Sequence, residues 1–333
     1  MSQLVLTLIC LVLQLAEVGL AVVQPPFVQN GLGFSVVSPF ASRLDPPMVF
    51  ETPLDPTRLR SVRYSHDDIA GGFNGACTDG NYVYMAPLSA KDLVRISRKT
   101  GVFSNASDFE WPADVDFGTG ASSFCGCAFD GFRGIWLVPH RASHLVRVDT
   151  ITRVMTSYNQ WPSEVTLNPV HNFCGAVIDI KRQNLWLMAF GASHAVRVEH
   201  AFDNKMSDVP PGPTITGMVM HAGADFPVEL GMPGSQLPFS GGVLAKDSIW
   251  LVPFNGKHVV EMPLDGSPMS SYGSWPNSIT LGNLAFTGGV FDGVDSVWFV
   301  PHNAKHVVKI NINNGGMKAV SLNINLPSYA FTD

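Results

Sequence analysis

The residues best suited to chemistry are histidines set four apart. The stretch "VPHNAKHVVKI" carries His302 and His306 beside a run of valines, and "VPHRASHLVRV" carries His140 and His144 in the same arrangement. Imidazole pairs are metal ligands, but a zinc centre needs three or four donors within about 2.0 to 2.1 Å of the ion, and each pair supplies two. Two further copies, "MAFGASHAVRV" and "VPFNGKHVVEM", keep only the second histidine, as His194 and His258, and place Phe190 or Phe254 where the first would stand. His144, His194, His258 and His306 therefore read as one repeated structural position. The position of His140 and His302 is the one left open for a task. A metal-dependent reading would rest on His140, His144, His302 and His306. No nucleophile elbow, phosphate-binding loop or zinc-protease motif accompanies them, so no catalytic residue is assigned and no cofactor is called for.

The elements that would carry these histidines recur along the chain. A Phe followed two residues later by Gly begins "FNGACTDG" at Phe73, "FCGCAFDG" at Phe124, "FCGAVIDI" at Phe173, "FSGGVLAK" at Phe239 and "FTGGVFDG" at Phe286. After each comes an aromatic, Tyr84, Trp136, Trp186, Trp250 or Trp298, and three residues beyond it Pro87, Pro139, Ala189, Pro253 or Pro301. A sixth, worn copy precedes these. Its "VFETPLDPT" from Val49 matches "VVEMPLDGS" from Val259, which places its start near Phe27. The starts are then spaced 46, 51, 49, 66 and 47 residues apart. Each unit reads as four short strands: a Gly-rich strand a, an Asp-containing hairpin turn, an aromatic strand b, a valine-rich strand c and a short strand d. Four strands at so regular a period imply an all-β chain, a six-bladed β-propeller with four antiparallel strands per blade. The blades would span 27–72, 73–123, 124–172, 173–238, 239–285 and 286–333, one domain over 22–333.

The stretch "GGVFDGVDSVWFVPHNAKHVVKIN" resembles the NHL-type repeat of six-bladed propellers, with its Gly-rich strand, Asp-Gly turn, aromatic strand and Asn-His-hydrophobic element in that order. The resemblance implies the fold and makes the strand-c histidine a repeat residue bonded to a loop. The same superfamily includes propeller enzymes that hold calcium near the channel, and hard cations need oxygen donors. Here the first turns of strand a offer one Asn among Phe-Asn-Gly, Phe-Cys-Gly, Phe-Ser-Gly and Phe-Thr-Gly, a poor cage.

Other repeated residues read as structure. Asp79, Asp130, Asp179 and Asp292 fall in the a–b turns, where Asp is favoured on conformational grounds. Trp111-Pro112, Trp161-Pro162 and Trp275-Pro276 follow strand d, with Pro210-Pro211 in the corresponding place of the fourth unit. They are rigid stops and inter-blade wedges, and Trp111, Trp161 and Trp275 are also candidates for a top-face binding surface, because loops carry function. The fourth unit is longer than the others, and the excess reads as an insertion over 212–236 between strand d and the next strand a. It bears Met218, Met220, His221, Phe226 and Met232, an adaptable apolar set suited to recognition at the top face.

The chain begins with an apolar run, Leu4 to Leu13, ending in small residues near Ala21, which reads as a secretory signal over 1–21. Export would place Asn105 in a usable glycosylation sequon. It would also permit disulfides among Cys77, Cys125, Cys127 and Cys174. Side chains alternate along a strand, so Cys77 and Cys127 point towards each other across a blade interface. Cys125 and Cys174 hold equivalent positions facing one way, an awkward pair, and buried thiols are the other reading of all four. A net charge of -6 gives no electrostatic footprint for nucleic acid. The expectation is a secreted, monomeric propeller with no membrane span once the signal is removed, binding a protein or small molecule at its top face. The alternative is an extracellular metal-dependent propeller hydrolase or lyase.

Overall fold

The computed structural model describes residues 28–29, 35–36, 72–104, 109–118, 122–201, 218–230 and 237–320. Two short strands come first, β1 (Val28–Gln29) and β2 (Ser35–Val36). Blade I follows, with β3 (Phe73–Thr78), β4 (Tyr82–Pro87), β5 (Val94–Ser97) and β6 (Phe103–Ser104) as strands a to d. Blade II is β7 (Phe124–Phe129), β8 (Gly134–Pro139), β9 (Leu145–Asp149) and β10 (Met155–Tyr158). Blade III is β11 (Phe173–Asp179), β12 (Asn184–Ala189), β13 (Val196–Glu199) and β14 (Val219–Ala222). Blade IV is β15 (Phe239–Ala245), β16 (Ser248–Pro253), β17 (Val259–Pro263) and β18 (Ser270–Tyr272). Blade V is β19 (Phe286–Phe291), β20 (Ser296–Pro301), β21 (Val307–Asn311) and β22 (Met317–Val320). Each blade pairs a-b-c-d in order, and strand a of each lies against strand a of the next.

The recurring residues have local reasons. Gly75, Gly126, Gly175 and Gly241 hold φ between 78° and 91°, a left-handed conformation open to glycine, and the a–b register slips at each of these glycines. The Phe-x-Gly signature is therefore a β-bulge that bends strand a where it meets the channel. At the other end of strand a, Asp130 Oδ1 accepts N–H bonds from Phe132, Arg133 and Gly134 at 2.9, 3.0 and 2.9 Å, and Asp292 serves Val294, Asp295 and Ser296 in the same way. The strand-b aromatic faces a charged strand-c residue in every blade: Tyr84 with Arg95, Trp136 with Arg147, Trp186 with Arg197, Trp250 with Glu261 and Trp298 with Lys309.

Strands a and b of blades II and III are buried along their whole length. Both faces of these sheets are thus consumed by neighbouring blades, and four inter-blade cores follow one another from blade I to blade V among the described residues. A crossing aromatic seals each. Trp111 stacks on Phe124 with ring centroids 5.5 Å apart, Trp161 on Phe173 at 5.4 Å and Trp275 on Phe286 at 5.7 Å.

Three expectations change. Five four-stranded blades are present among the described residues, not six. The segment expected to form a sixth contributes β1 and β2, an antiparallel pair whose second strand adds in parallel to the inner edge of blade I, with β1 against β19. The worn copy places Val36 where the other units carry Tyr or Trp, and so lacks the large flat side chain that inter-blade burial requires. Its remaining matches lie outside the described residues.

The second change concerns the long fourth unit. Val219–Ala222 is itself strand d, so in the sequence the extra residues fall between strands c and d rather than between strand d and the next strand a. Phe226-Pro227 then fills the Trp-Pro place. Phe226 packs on Phe239 at 5.7 Å, and Leu230 N–H returns to Pro227 O at 3.1 Å, as Val165 N–H does to Pro162 O at 3.0 Å. Pro210-Pro211 and Met232 lie outside the described residues, as do Asn105 and the 1–21 segment.

The third change is that the structure pairs Cys125 with Cys174, Cα atoms 4.7 Å apart, as well as Cys77 with Cys127 at 5.7 Å. Cys125 and Cys174 stand at the same place, one residue before the bulge glycine, on adjacent inner strands, and their equivalence brings them side by side rather than keeping them apart.

Two outcomes test this arrangement. Phe226→Ala is expected to lower unfolding free energy by about 2 kcal/mol or more, which urea titration reads, whereas a residue in a surface insertion would cost almost nothing. Each disulfide closes a chain separation of 50 or 49 residues. Replacing Cys77 and Cys127 together by Ala is expected to cost about 4 kcal/mol. Thiol labelling of the denatured, unreduced protein should leave Cys77, Cys125, Cys127 and Cys174 unmodified.

Candidate functional site at the channel mouth

The residue after strand b in each blade, Leu88, His140, Phe190, Phe254 or His302, is held by its backbone. Its N–H donates to the carbonyl of the residue preceding strand a of its own blade: Gly72, Ser123, Asn172, Pro238 or Ala285, at 2.8 to 3.0 Å. Its carbonyl accepts from that preceding residue in the next blade, Ser123 N to Leu88 O at 2.6 Å, Asn172 N to His140 O at 2.8 Å and Ala285 N to Phe254 O at 2.7 Å. A chain of hydrogen bonds thus runs from blade to blade around the top of the channel. Among the described residues the chain links blades I, II and III and blades IV and V, and it is missing between blades III and IV, where Pro238 has no N–H to offer Phe190 O.

The side chains set on this ring converge. His140 lies 5.2 Å from Phe190, Phe190 lies 5.5 Å from Phe254 and Phe254 lies 6.4 Å from His302, centroid to centroid. Beneath Phe190 the Cys125–Cys174 bridge forms an apolar floor, with Leu237 and Phe254 packed beside it. Nδ1 of His302 is buried without a hydrogen-bond partner.

A residue the sequence reading passed over completes the group. His171 Nδ1 lies 2.8 Å from His140 Nε2, and its ring lies 4.8 Å from His140 and 5.9 Å from Phe190. His171 stands two residues before Phe173, the place held by Ser122, Leu237 and Leu284 in other blades, and those three have positive φ. Comparing that column of the repeat would have shown a single titratable side chain in it. A Cβ on Gly191 would run into the His171 carbonyl, so glycine is required there for His171 to sit against the loop.

The proton positions follow from the partners. Phe173 O can only accept, so His140 Nδ1, 3.1 Å away, carries the hydrogen. His140 Nε2 must then accept from His171 Nδ1–H, which leaves His171 Nε2 as a bare acceptor. Burial drives the His140 pKa down to about 4, and the Phe173 carbonyl, which favours the charged ring, offsets only part of that. Burial, with the nearby Arg141 guanidinium, also lowers His171. Both rings are neutral at physiological pH.

The second members of the histidine pairs do other work. His144 Nδ1 meets Ser143 Oγ at 2.6 Å and its Nε2 faces Asp114 at 3.6 Å. His194 meets Ser193 Oγ at 2.8 Å and Asp225 at 2.9 Å. Each serine hydroxyl also accepts a backbone N–H from a crossing segment, Asp116 or Thr166. This is a clamp built on side chains rather than the loop-backbone bond the repeat resemblance implied. His306 sits half-buried before β21. His140 and His144 therefore point to different partners, and among the described residues no three His, Cys, Asp or Glu side chains are placed to hold a metal ion.

The other candidates are structural in placement. Trp111, Trp161 and Trp275 are the inter-blade wedges, and the last two also donate Nε1–H to Ser143 O and Lys257 O at 3.2 and 2.7 Å. Met220 is buried in the blade II–III core and Met218 packs beside it. His221 pairs with Glu199 across strands c and d at 3.1 Å.

The class is an all-β propeller of four-stranded antiparallel blades. No helix among the described residues is long and apolar enough to cross a membrane. No family model and no curated protein matches the chain. Among solved structures, a catalytically inactive virginiamycin B lyase from Staphylococcus aureus with quinupristin is similar at 15% identity over 77% of this chain and 71% of that one, TM-score 0.48. The nidogen/laminin complex is similar at 12% identity over 73% and 77%, TM-score 0.46. The extracellular domain of a putative one-component system from B. thetaiotaomicron is similar at 15% identity over 78% of this chain and 32% of that one, TM-score 0.48. What those proteins bind or cleave is theirs.

The buried histidine sets an acid limit on stability. His140 falls from its ordinary 6.5 to about 4 on folding, so as pH drops the unfolded chain takes up the proton first. Stability contributed by the neutral ring is whole above pH 6.5 and declines down to about pH 4, by about 3 kcal/mol in total. Urea midpoints at pH 7 and pH 4.5 should show this decline. His140→Phe, the residue that blades III and IV use at this position, should flatten it.

Proposed function

We propose that the chain is an exported binding module that takes a small ligand at the channel mouth of its top face. The observation that carries this reading is the convergence of His140, His171, Phe190, Phe254 and His302, four of them from one column of the repeat. Packing alone asks only for apolar residues in that column, and Leu88 satisfies it in blade I. Aromatic walls with a few placed polar atoms are the ordinary make-up of a small-molecule site. Export is supported by the two cystine bridges, which persist in oxidising compartments, and by the apolar N-terminal run. Of the 212–236 segment the described residues are 218–230, where Val219–Ala222 is strand d and Phe226 the wedge that follows, so this reading rests on the channel-mouth residues alone. The metal-dependent hydrolase or lyase reading would need His140, His144, His302 and His306 around one ion, and His144 is turned to Asp114.

The test is a screen of small ring compounds against isotope-labelled protein by chemical-shift perturbation. Compounds that bind should move resonances of Phe190, Phe254 and His140 together, and Phe254→Ala should abolish those shifts. Ile151→Ser on the opposite face, where Ile151 is 71% exposed, should leave them unchanged. Shifts that map to the c–d turns instead would end the reading.

A further inference from the structure

The mouth is not symmetric, and its asymmetry specifies a ligand. Resting on the channel-mouth reading, we infer that the site takes a neutral planar aromatic bearing one O–H or N–H donor, a phenol or an indole, whose ring lies on Phe190 and Phe254 and whose donor is accepted by His171 Nε2.

Three observations lead there. First, one side is apolar: the half-buried Phe254 sits 5.5 Å from the buried Phe190 with the two rings tilted at 51°, and both pack with the Cys125–Cys174 bridge and Leu237. Aromatic rings pack best in such tilted or offset arrangements, at centroid separations of about 4.5 to 7 Å.

Second, the polar side offers acceptors. The hydrogen-bond chain from Phe173 O through His140 to His171 orients both rings and ends in an unprotonated nitrogen at His171 Nε2. The Phe190 carbonyl, which Pro238 cannot serve, receives no backbone hydrogen bond among the described residues. A ligand that presents only acceptors would leave these groups unpaired, which costs more than an absent bond.

Third, the charge environment disfavours ions. Arg141, anchored by its Nε–H to Val170 O at 3.0 Å, bears on both histidines and repels a cationic ligand. An anion would meet lone pairs rather than protons at His171 Nε2. The titratable groups beside His171 are His140 and Arg141; burial and the Arg141 charge lower the His171 pKa, so the acceptor persists at physiological pH.

The experiment compares 4-methylphenol and indole with toluene and methoxybenzene, which carry similar rings without a donor. Binding is read from aromatic methyl and ring shifts and from the nitrogen resonances of labelled imidazoles. The donor-bearing probes are expected to bind about tenfold tighter, the worth of one hydrogen bond in a shielded site. His171→Phe should remove that preference while leaving toluene affinity in place, and His171→Gln, which keeps an acceptor, should restore part of it. Affinity for 4-methylphenol should fall at acid pH, because protonation of His171, held below the ordinary histidine range by burial, occupies the acceptor, while toluene affinity should change little. Equal affinity for 4-methylphenol and toluene, or a preference that survives His171→Phe, would overturn the inference and leave the mouth as the binding site. If none of the four probes moved Phe190, Phe254 or His140, the channel-mouth reading itself would fall.

Discussion

The contact on which the molecule depends is a flat ring from one crossing segment laid against the phenylalanine that begins the next blade. Trp111, Trp161, Phe226 and Trp275 make it in turn, on Phe124, Phe173, Phe239 and Phe286. A four-stranded sheet buried on both faces has no solvated side, and cannot stand without neighbours of matching shape. Aromatic pairs add about 0.5 to 1.5 kcal/mol beyond the area they bury, but their larger effect here is geometric. The wedge fixes how far one blade is turned from the next, and so decides whether the loops after strand b meet around one channel. In blades II and IV the crossing tryptophan also bonds the carbonyl just ahead of the strand-c histidine. The same contact therefore anchors the loop that the mouth is made from.

Much of this was written locally and could be read. The Phe-x-Gly spacing is a bulge, the repeated aspartates cap the a–b turns, and the aromatic of strand b faces the charge of strand c, each a matter of a few neighbouring residues. The misreadings arose where the deciding fact lay elsewhere in the chain. Phe226-Pro227 can replace Trp-Pro because what the wedge needs is a flat apolar ring beside a proline. Pro210-Pro211 lay closer to the expected distance and drew the assignment. The worn first copy matched other units over nine residues, yet its sequence offers valine at Val36 where the other units carry tyrosine or tryptophan, and a string match does not weigh that.

The site was legible as a column and not as a place. His140 and His302 stood out because Phe190, Phe254 and Leu88 share their position, but nothing in that comparison reveals that His171 belongs with them. It comes from the following blade, two residues ahead of strand a, and reaches His140 only because the backbone of one blade is tied to the loop of the one before. Cys125 and Cys174 follow the same logic. Alternation says which way each points along its own strand, but not that equivalent places on neighbouring inner strands lie 4.7 Å apart at Cα.

These constraints make the two halves of the mouth unlike. The cystine bridges join the inner strands of blades I, II and III, and His171 stands two residues ahead of the last of these while His140 follows strand b of blade II, so covalent bonds lie on the histidine side. On the other side the backbone ring is broken at Pro238, and Phe254 is held to Phe190 by packing alone. The proton positions of the polar wall are set by Phe173 O and the two imidazoles, whereas the apolar wall joins a buried Phe190 to a half-buried Phe254. On the proposed binding reading, selectivity resides in His171 Nε2, and Phe254 offers more open apolar surface than Phe190. A repeat built from nearly equivalent blades acquires a distinct site by changing few side chains in one column, and by one proline that cannot donate.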